Sequence, residues 1–462
     1  MKQCLSRSPK IKTFFCLVSV LFFVGCKSPE LENLCDPKYK GYLETILFKI
    51  LSGNTSNHCG VNLNQVFAPF FLPAPGHYTE PHFISISTIT PGATIYITTD
   101  GSVPTANSTP YTSPASIWRL AGQRIRAIAI KPGMDNSPTA EATYSLIPLK
   151  TGQTTSYATG DDSNIGSGIS PNYVGPSPDT TYPNDYTTFD QSTGILWRTC
   201  SQGLNGPTCA LNSVTSGNIS TLTASCLALN SLNSGNGYAG YKTWRLSTLK
   251  ELLTTNDASK ANATIINPIA FPATVVYAYW ASTPNLPSPS DSRYLDYTRG
   301  DSYATTSIAY YGRCVASPPP METLSYTDNG DGTIKDNTTG LTWQKCSYGQ
   351  TNDSTCTGGG NVSDWASALT YCGSLSLGSR TWRLPNRNEL ASLYDYTKAT
   401  GPLIDQIAFP NTKFSASEYY WTSTTFAPGT TSAWYVNFTT TNNNIFEGIN
   451  KTTNLYVRCV SQ

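Results

Sequence analysis

The pattern of apolar and polar positions divides the chain into unlike stretches. An apolar run from Phe14 to Gly25 follows a basic start made by Lys2, Arg7, Lys10 and Lys12. The run is shorter than the ~20 residues a membrane span needs, and it has the form of the apolar core of a cleaved secretory signal. Further on, Tyr42, Leu43, Ile46, Leu47, Ile50 and Leu51 recur at three- and four-residue spacing and predict one amphipathic helix, stopped by Gly53-Asn54. Between residues 77 and 146 the period changes to two. Ile84 and Ile86, Ile95 and Ile97, then Ile125, Ala127 and Ala129 alternate with other residues, and Asp100-Gly101 marks a turn. Short strands broken by Pro and Gly predict a small β-sandwich.

The remainder is an internal duplication, residues 150–317 and 322–462. Thr193-Gly194-Ile195-Leu196-Trp197 returns as Thr339-Gly340-Leu341-Thr342-Trp343. Thr243-Trp244-Arg245-Leu246 and Glu251-Leu252 return as Thr381-Trp382-Arg383-Leu384 and Glu389-Leu390. Ile269-Ala270-Phe271-Pro272 returns as Ile407-Ala408-Phe409-Pro410, and Arg313-Cys314-Val315 as Arg458-Cys459-Val460. Ser317-Pro318-Pro319-Pro320 between the copies predicts a stiff linker. Each copy has the size of a single domain, so the arrangement is a tandem pair and not a solenoid. Within a copy the pattern predicts strands around Thr-Gly-x-x-Trp, then a helix (Ala224 to Leu232 in copy one, Asp364 to Leu375 in copy two). A second helix follows Trp-Arg-Leu, with Asn388 to Tyr394 at helical spacing after Pro385. Short strands rich in Tyr, Trp, Thr and Val complete the copy.

Cysteine parity adds the compartment. The chain has 13 cysteines. Cys4 and Cys16 lie in the signal segment, 1–25. The sequence Leu21-Phe22-Phe23-Val24-Gly25-Cys26 resembles the lipobox of bacterial lipoproteins, although Phe and Val stand where smaller residues are commoner. The resemblance implies cleavage before Cys26 and acylation of its thiol, hence a membrane-anchored chain. The remaining cysteines fall into even groups: Cys35 and Cys59; Cys200, Cys209, Cys226 and Cys314; Cys346, Cys356, Cys372 and Cys459. Even groups suit an oxidising compartment. Cys35 and Cys59 flank the helix of the 26–76 tether and are expected to pair, closing a loop worth roughly 3 kcal/mol. Zinc is not expected, because no Cys-x-x-Cys occurs and His58, His77 and His82 all precede residue 83. The formal net charge is +1, and loss of the basic signal segment leaves about −3, so no electrostatic case for nucleic acid exists.

Two family resemblances sharpen this. Residues 91–105, Pro-Gly-Ala-Thr-Ile-Tyr-Ile-Thr-Thr-Asp-Gly-Ser-Val-Pro-Thr, followed by Ser108-Thr109-Pro110-Tyr111, resemble the chitobiase/β-hexosaminidase C-terminal domain. That resemblance implies an immunoglobulin-like, non-catalytic accessory sandwich. Asp328-Asn329-Gly330-Asp331-Gly332-Thr333, Asp336-Asn337, Thr339 to Lys345 and Trp382-Arg383-Leu384-Pro385 are similar to the Lcl C-terminal domain, named after a collagen-like adhesin. Copy one lacks the Asp-Asn-Gly-Asp-Gly turn and the Pro. The family's likeness to C-type lectins implies a compact α+β fold. It also implies disulfides Cys226–Cys314 and Cys372–Cys459 from first helix to last strand, with Cys200–Cys209 and Cys346–Cys356 closing short loops. The fold class is thus a multidomain chain: an immunoglobulin-like β-sandwich followed by two α+β C-type-lectin-like domains.

Candidate chemistry is sparse. Neither copy contains a histidine, which removes the commonest general base and metal ligand, and no nucleophile elbow or phosphate loop occurs. Glu251 and Glu389 occupy equivalent helical positions, where a capping, salt-bridge or solvent-facing role is expected before a catalytic one. Asp328, Asp331 and Asp336 are weak calcium candidates, weighed against a tight hairpin turn. Trp197, Trp244 and Trp280, like Trp343, Trp382 and Trp421, are expected in the cores. Tyr277, Tyr279, Tyr294, Tyr297, Tyr310 and Tyr311, with Tyr419, Tyr420 and Tyr435, suit either adaptable binding loops or ordinary strands. No cofactor is implied.

The expectation is an outer-membrane lipoprotein, surface-exposed or periplasm-facing, acting as a non-catalytic, adhesin-like binder of a glycan or matrix component. Relatives are implicated in binding sulfated glycosaminoglycans. Here each copy carries nine Lys+Arg against ten or eleven Asp+Glu, which favours a neutral ligand. A structural envelope protein and, third, a polysaccharide-acting enzyme are the alternatives.

Overall fold

The computed structural model describes residues 62–260, 265–306, 308–317, 324–440 and 444–462, and before them 35, 40–52, 54, 56 and 58–60. The signal segment, Cys26 and the Pro318–Pro320 linker lie outside the described residues. The predicted helix is present as Lys40–Ser52, with Leu47, Phe48 and Leu51 exposed. A disulfide joins Cys35 to Cys59.

Residues 62–147 form a two-sheet β domain. One sheet runs Phe70–Leu72, Phe83–Ser87, Ala115–Ser116; the other runs Gly76–Tyr78, Ala140–Leu146, Arg124–Ile130, Thr94–Thr98, Thr109–Pro110. Alternation works as read: Ile84 and Ile86, with Ile125, Ala127 and Ala129, point into the core. The domain begins earlier than residue 77, because Phe70–Leu72 pairs with Phe83–Ser87 and Leu63 and Val66 are buried. Prolines on both sides of this three-residue strand hide it from an alternation test.

The two copies share one plan. In copy one, Tyr173–Pro178, Tyr186–Asp190, Ile195–Arg198, Cys314–Val315 and Arg245–Leu246 form a sheet. In copy two, Tyr326–Asp328, Thr333–Asp336, Thr342–Gln344 and Val460–Ser461 do the same. The first helix of copy one is Ile219–Ala228, earlier than expected, since Asn218 caps it by accepting from the Thr221 amide. Its first turn, Ile-Ser-Thr, carries little apolar periodicity. In copy two the helix is Trp365–Ser374 with Asp364 as cap, as the sequence predicts. The second helices, Leu249–Thr254 and Arg387–Ala391, are short. The one in copy two stops before Tyr394, where the chain turns into the core. The pairs Cys200–Cys209, Cys226–Cys314, Cys346–Cys356 and Cys372–Cys459 are all bonded. The chain is mostly β-sheet, with few helices, in several domains.

The copies are joined in two ways that the duplication did not reveal. First, their late strands build one eight-stranded sheet, in which Ser302 of copy one pairs with Phe446 of copy two. Arginines line this seam: Arg299 bridges Asp301 and Glu447 at 3.1 and 3.6 Å, and Arg293 donates to the Tyr394 hydroxyl at 3.0 Å. Second, the first residues of copy one lie on copy two. The Thr425 amide donates to Gln153 Oε1 at 2.7 Å, Thr424 Oγ1 to Asp162 Oδ2 at 2.7 Å, and Ser167 Oγ to Glu389 Oε1 at 2.7 Å. The β domain abuts both copies. Gly340 and Gly194 adopt φ of +73° and +69°; a Cβ at the first would strike the His77 ring and at the second Ser116, so glycine meets both demands there. One hydrophobic cluster runs through all three parts, and each copy adds a separate cluster of its own around Trp244 or Trp382.

Candidate functional site

The most obvious charged residues of the duplication are structural. Glu251 and Glu389 are fully buried. Each completes a capping box, with Thr248 and with Asn386. Each also takes both arms of the arginine in Trp-Arg-Leu: Arg245 at 2.9 and 2.7 Å, Arg383 at 2.6 and 2.7 Å. The capping and ion-pair roles expected for them are realised, but on the inside and not at the surface. Burial raises the Glu389 carboxyl, yet Arg383, Ser167 and the Asn386 amide outweigh it and hold it below the ordinary range. The Arg-Cys-Val repeat encodes a second buried device. Arg313 lies over the Phe271 ring at 4.8 Å and bonds Thr199 O and Thr274 Oγ1. Arg458 lies over Phe409 at 4.8 Å and bonds Gln344 O and Thr412 Oγ1.

The calcium candidates do not converge. Asp328 pairs with Lys345 at 2.8 Å, and Asp331 accepts from the Thr333 amide and hydroxyl. Asp336 is buried and closes its own turn, accepting from the Thr338 and Thr339 amides and the Thr339 hydroxyl. Asp190 closes the equivalent turn in copy one through Ser192 and Thr193. Among the described residues no group of three His, Cys, Asp or Glu is placed to hold a metal. The six repeated tryptophans are buried, as are Tyr279, Tyr297, Tyr310, Tyr420 and Tyr435. Of the tyrosines weighed as binding residues, Tyr277 is the exposed one in copy one.

Two surface features remain. In both copies a side-chain oxygen, Asn267 Oδ1 or Asp405 Oδ1, accepts the next loop amides and fixes an isoleucine outward. Ile269 is 78% and Ile407 92% exposed, while Phe271 and Phe409, two positions on, are buried. Val276 and Phe414, at equivalent places further along, are also exposed. Copy one has a polar cleft of about 220 Å³ here, lined by Lys150, Tyr173, Asn256, Asp257, Lys260 and Asn267 among others. It has room for several waters or one small polar ligand. Asn256 is 5% exposed, and its Oδ1 has no hydrogen-bond partner among the described residues. In copy two the corresponding position holds Tyr394, which packs against Tyr396 and Phe438. Sequence reading missed these residues. The available signal was the departure of Asn256 from its repeat partner.

A second cavity, of about 120 Å³, lies where the β domain meets both copies, between Trp118, Leu146, Lys250, Leu253, Ala391 and Tyr394.

Comparison with known families agrees with this plan. Residues 73–145 match the chitobiase/beta-hexosaminidase C-terminal domain. Residues 186–316 and 332–461 each match the Lcl C-terminal domain. Both are C-terminal domains and not catalytic ones. No curated protein and no solved structure matches the chain. Since the two matches to one family span more than half of its length, the chain belongs to the Lcl C-terminal domain family, carried twice.

Proposed function

We propose that this chain is a non-catalytic binding protein for a neutral glycan or matrix component, held at the cell envelope by a lipid on Cys26. On this reading the β domain is an immunoglobulin-like spacer and the two copies are C-type-lectin-like modules at the outer membrane. The polar cleft of copy one carries the proposal. Sugars need interleaved donors and acceptors beside an apolar face, and Asn256, Asp257, Lys260 and Asn267 stand there beside Pro171 and Tyr173. A catalytic reading is disfavoured because both helical glutamates are held in buried arginine pairs.

An array of neutral and sulfated glycans and matrix proteins, probed with residues 27–462, tests this. Binding to a neutral glycan that weakens in Asn256→Ala is expected; no binding to any spot contradicts it. Protease treatment of intact cells tests the outward placement.

A second reading, a structural protein contacting other envelope proteins, is favoured by Ile269 and Ile407. Rigidly presented aliphatic side chains at equivalent places suit protein contacts. Crosslinking in intact cells, with and without Ile269→Asp plus Ile407→Asp, would recover a stoichiometric neighbour only from the unaltered chain.

A further inference from the structure

We propose that the cavity between the β domain and the two copies binds a small molecule with an apolar body and an anionic end, the anion facing Lys250. The cavity follows the duplication. Lys250, Leu253 and Thr254 on the second helix of copy one line it, and so do Asn388, Ala391 and Ser392, the same three positions of copy two. Trp118 and Leu146 of the β domain and Pro148 and Leu149 of the connection close the remaining side.

Its walls are mostly aliphatic and aromatic. An apolar cavity of roughly 150 Å³ takes up benzene, so about 120 Å³ suits one ring or a short branched chain.

The two equivalent polar positions have diverged, and this sets the ligand's charge. The Asn388 amide donates to Leu149 O at 2.9 Å and Lys150 O at 3.3 Å, and its Oδ1 accepts from Arg387 at 3.0 Å. It is fully engaged. Lys250 forms no ion pair among the described residues; its ammonium lies 5.9 Å from the Trp118 ring centroid. Asp336 feels the Lys250 charge, but its oxygens are occupied by Thr338 and Thr339. A ligand carboxylate seated in the cavity would give the Lys250 ammonium an ion partner. This site is separate from the glycan reading and does not rest on it.

The test is a ligand-observed NMR titration of the disulfide-intact chain, residues 27–462, with benzoate and its neutral analogue benzamide. Saturable binding is expected, with benzoate favoured by about tenfold, the size of one charge-assisted contact. Lys250→Gln should remove that preference while leaving the unfolding midpoint in place, and Ala391→Phe, which fills the cavity, should abolish both. Absence of saturable binding, equal affinity for the two probes, or a preference that persists in Lys250→Gln would overturn the proposal.

Discussion

Asp162 accepts a hydrogen bond from the Thr424 hydroxyl at 2.7 Å, across 262 positions of sequence. The same carboxylate oxygen accepts from the Thr151 hydroxyl. The first residues of copy one are thereby clasped to copy two, and the seam of the eight-stranded sheet holds the pair at its other side. The clasp fixes the spacing of the two copies without relying on a linker.

The clasp has a pH signature. Burial raises Asp162 to about 6, against the opposing hydroxyls of Thr151 and Thr424. Burial likewise raises Asp190 to about 6 and Asp301 to about 7, and in Asp301 it outweighs the half-exposed Arg299 beside it. The folded chain therefore binds these protons more tightly than the unfolded chain, whose aspartates keep their ordinary value near 3.8. Their stabilisation is complete below that value and is lost as pH rises through 6 to 7. Glu389 and Asp328, held low, act in the opposite sense, losing their contribution as pH falls below the usual carboxylate range. The urea midpoint should fall between pH 5 and about 7 and level off above that, and Asp162→Asn should flatten the fall. A midpoint that climbs steadily from pH 5 to 8 contradicts this.

Glu389→Gln should destabilise the chain by about 3–5 kcal/mol, because Arg383 is left buried without its charge partner. Glu251→Gln should act in the same direction through Arg245. Equilibrium denaturation checks both; an effect below about 1 kcal/mol, the scale of a surface pair, would show that these pairs are not buried in solution.

The disulfides of copy two should differ in weight. Cys372–Cys459 closes a separation of 87 residues and Cys346–Cys356 one of 10. Chain entropy then gives roughly 4.6 and 2.7 kcal/mol. Paired Cys→Ala variants compared by urea unfolding should preserve that order; the reverse order would refute it.

Within the repeated Ile-Ala-Phe-Pro motif, exposure separates two effects. Ile269→Ser and Ile407→Ser should shift stability by no more than about 0.5 kcal/mol. Phe271→Ala and Phe409→Ala, which remove the face under Arg313 and Arg458, should cost about 3–5 kcal/mol. Thermal or chemical unfolding of the four variants distinguishes them, and comparable losses at the isoleucines would place those side chains in a contact.

What could be read from sequence was whatever repeats or alternates. Trp197 and Trp343, the Trp-Arg-Leu segments and the cysteine groups announced two like domains, and alternation announced the β domain. Contacts between domains carry no such signature. Asp162 meets Thr424, and Ser302 meets Phe446, through residues that resemble any other polar or strand position. Asp336 was ambiguous in the sequence for a related reason: a turn that satisfies its own carboxylate has the same composition as one that offers it to a cation. The polar cleft and the charge lining the second cavity depend on positions where the copies differ, Asn256 against Tyr394 and Lys250 against Asn388, and a search for likeness passes over differences.

Scanning calorimetry of residues 27–462 tests most directly whether the two copies form one body. A single cooperative transition is predicted, splitting into two when the clasp is cut by Asp162→Ala with Gln153→Ala. Two independent transitions in the unaltered chain, each indifferent to those substitutions, would contradict it.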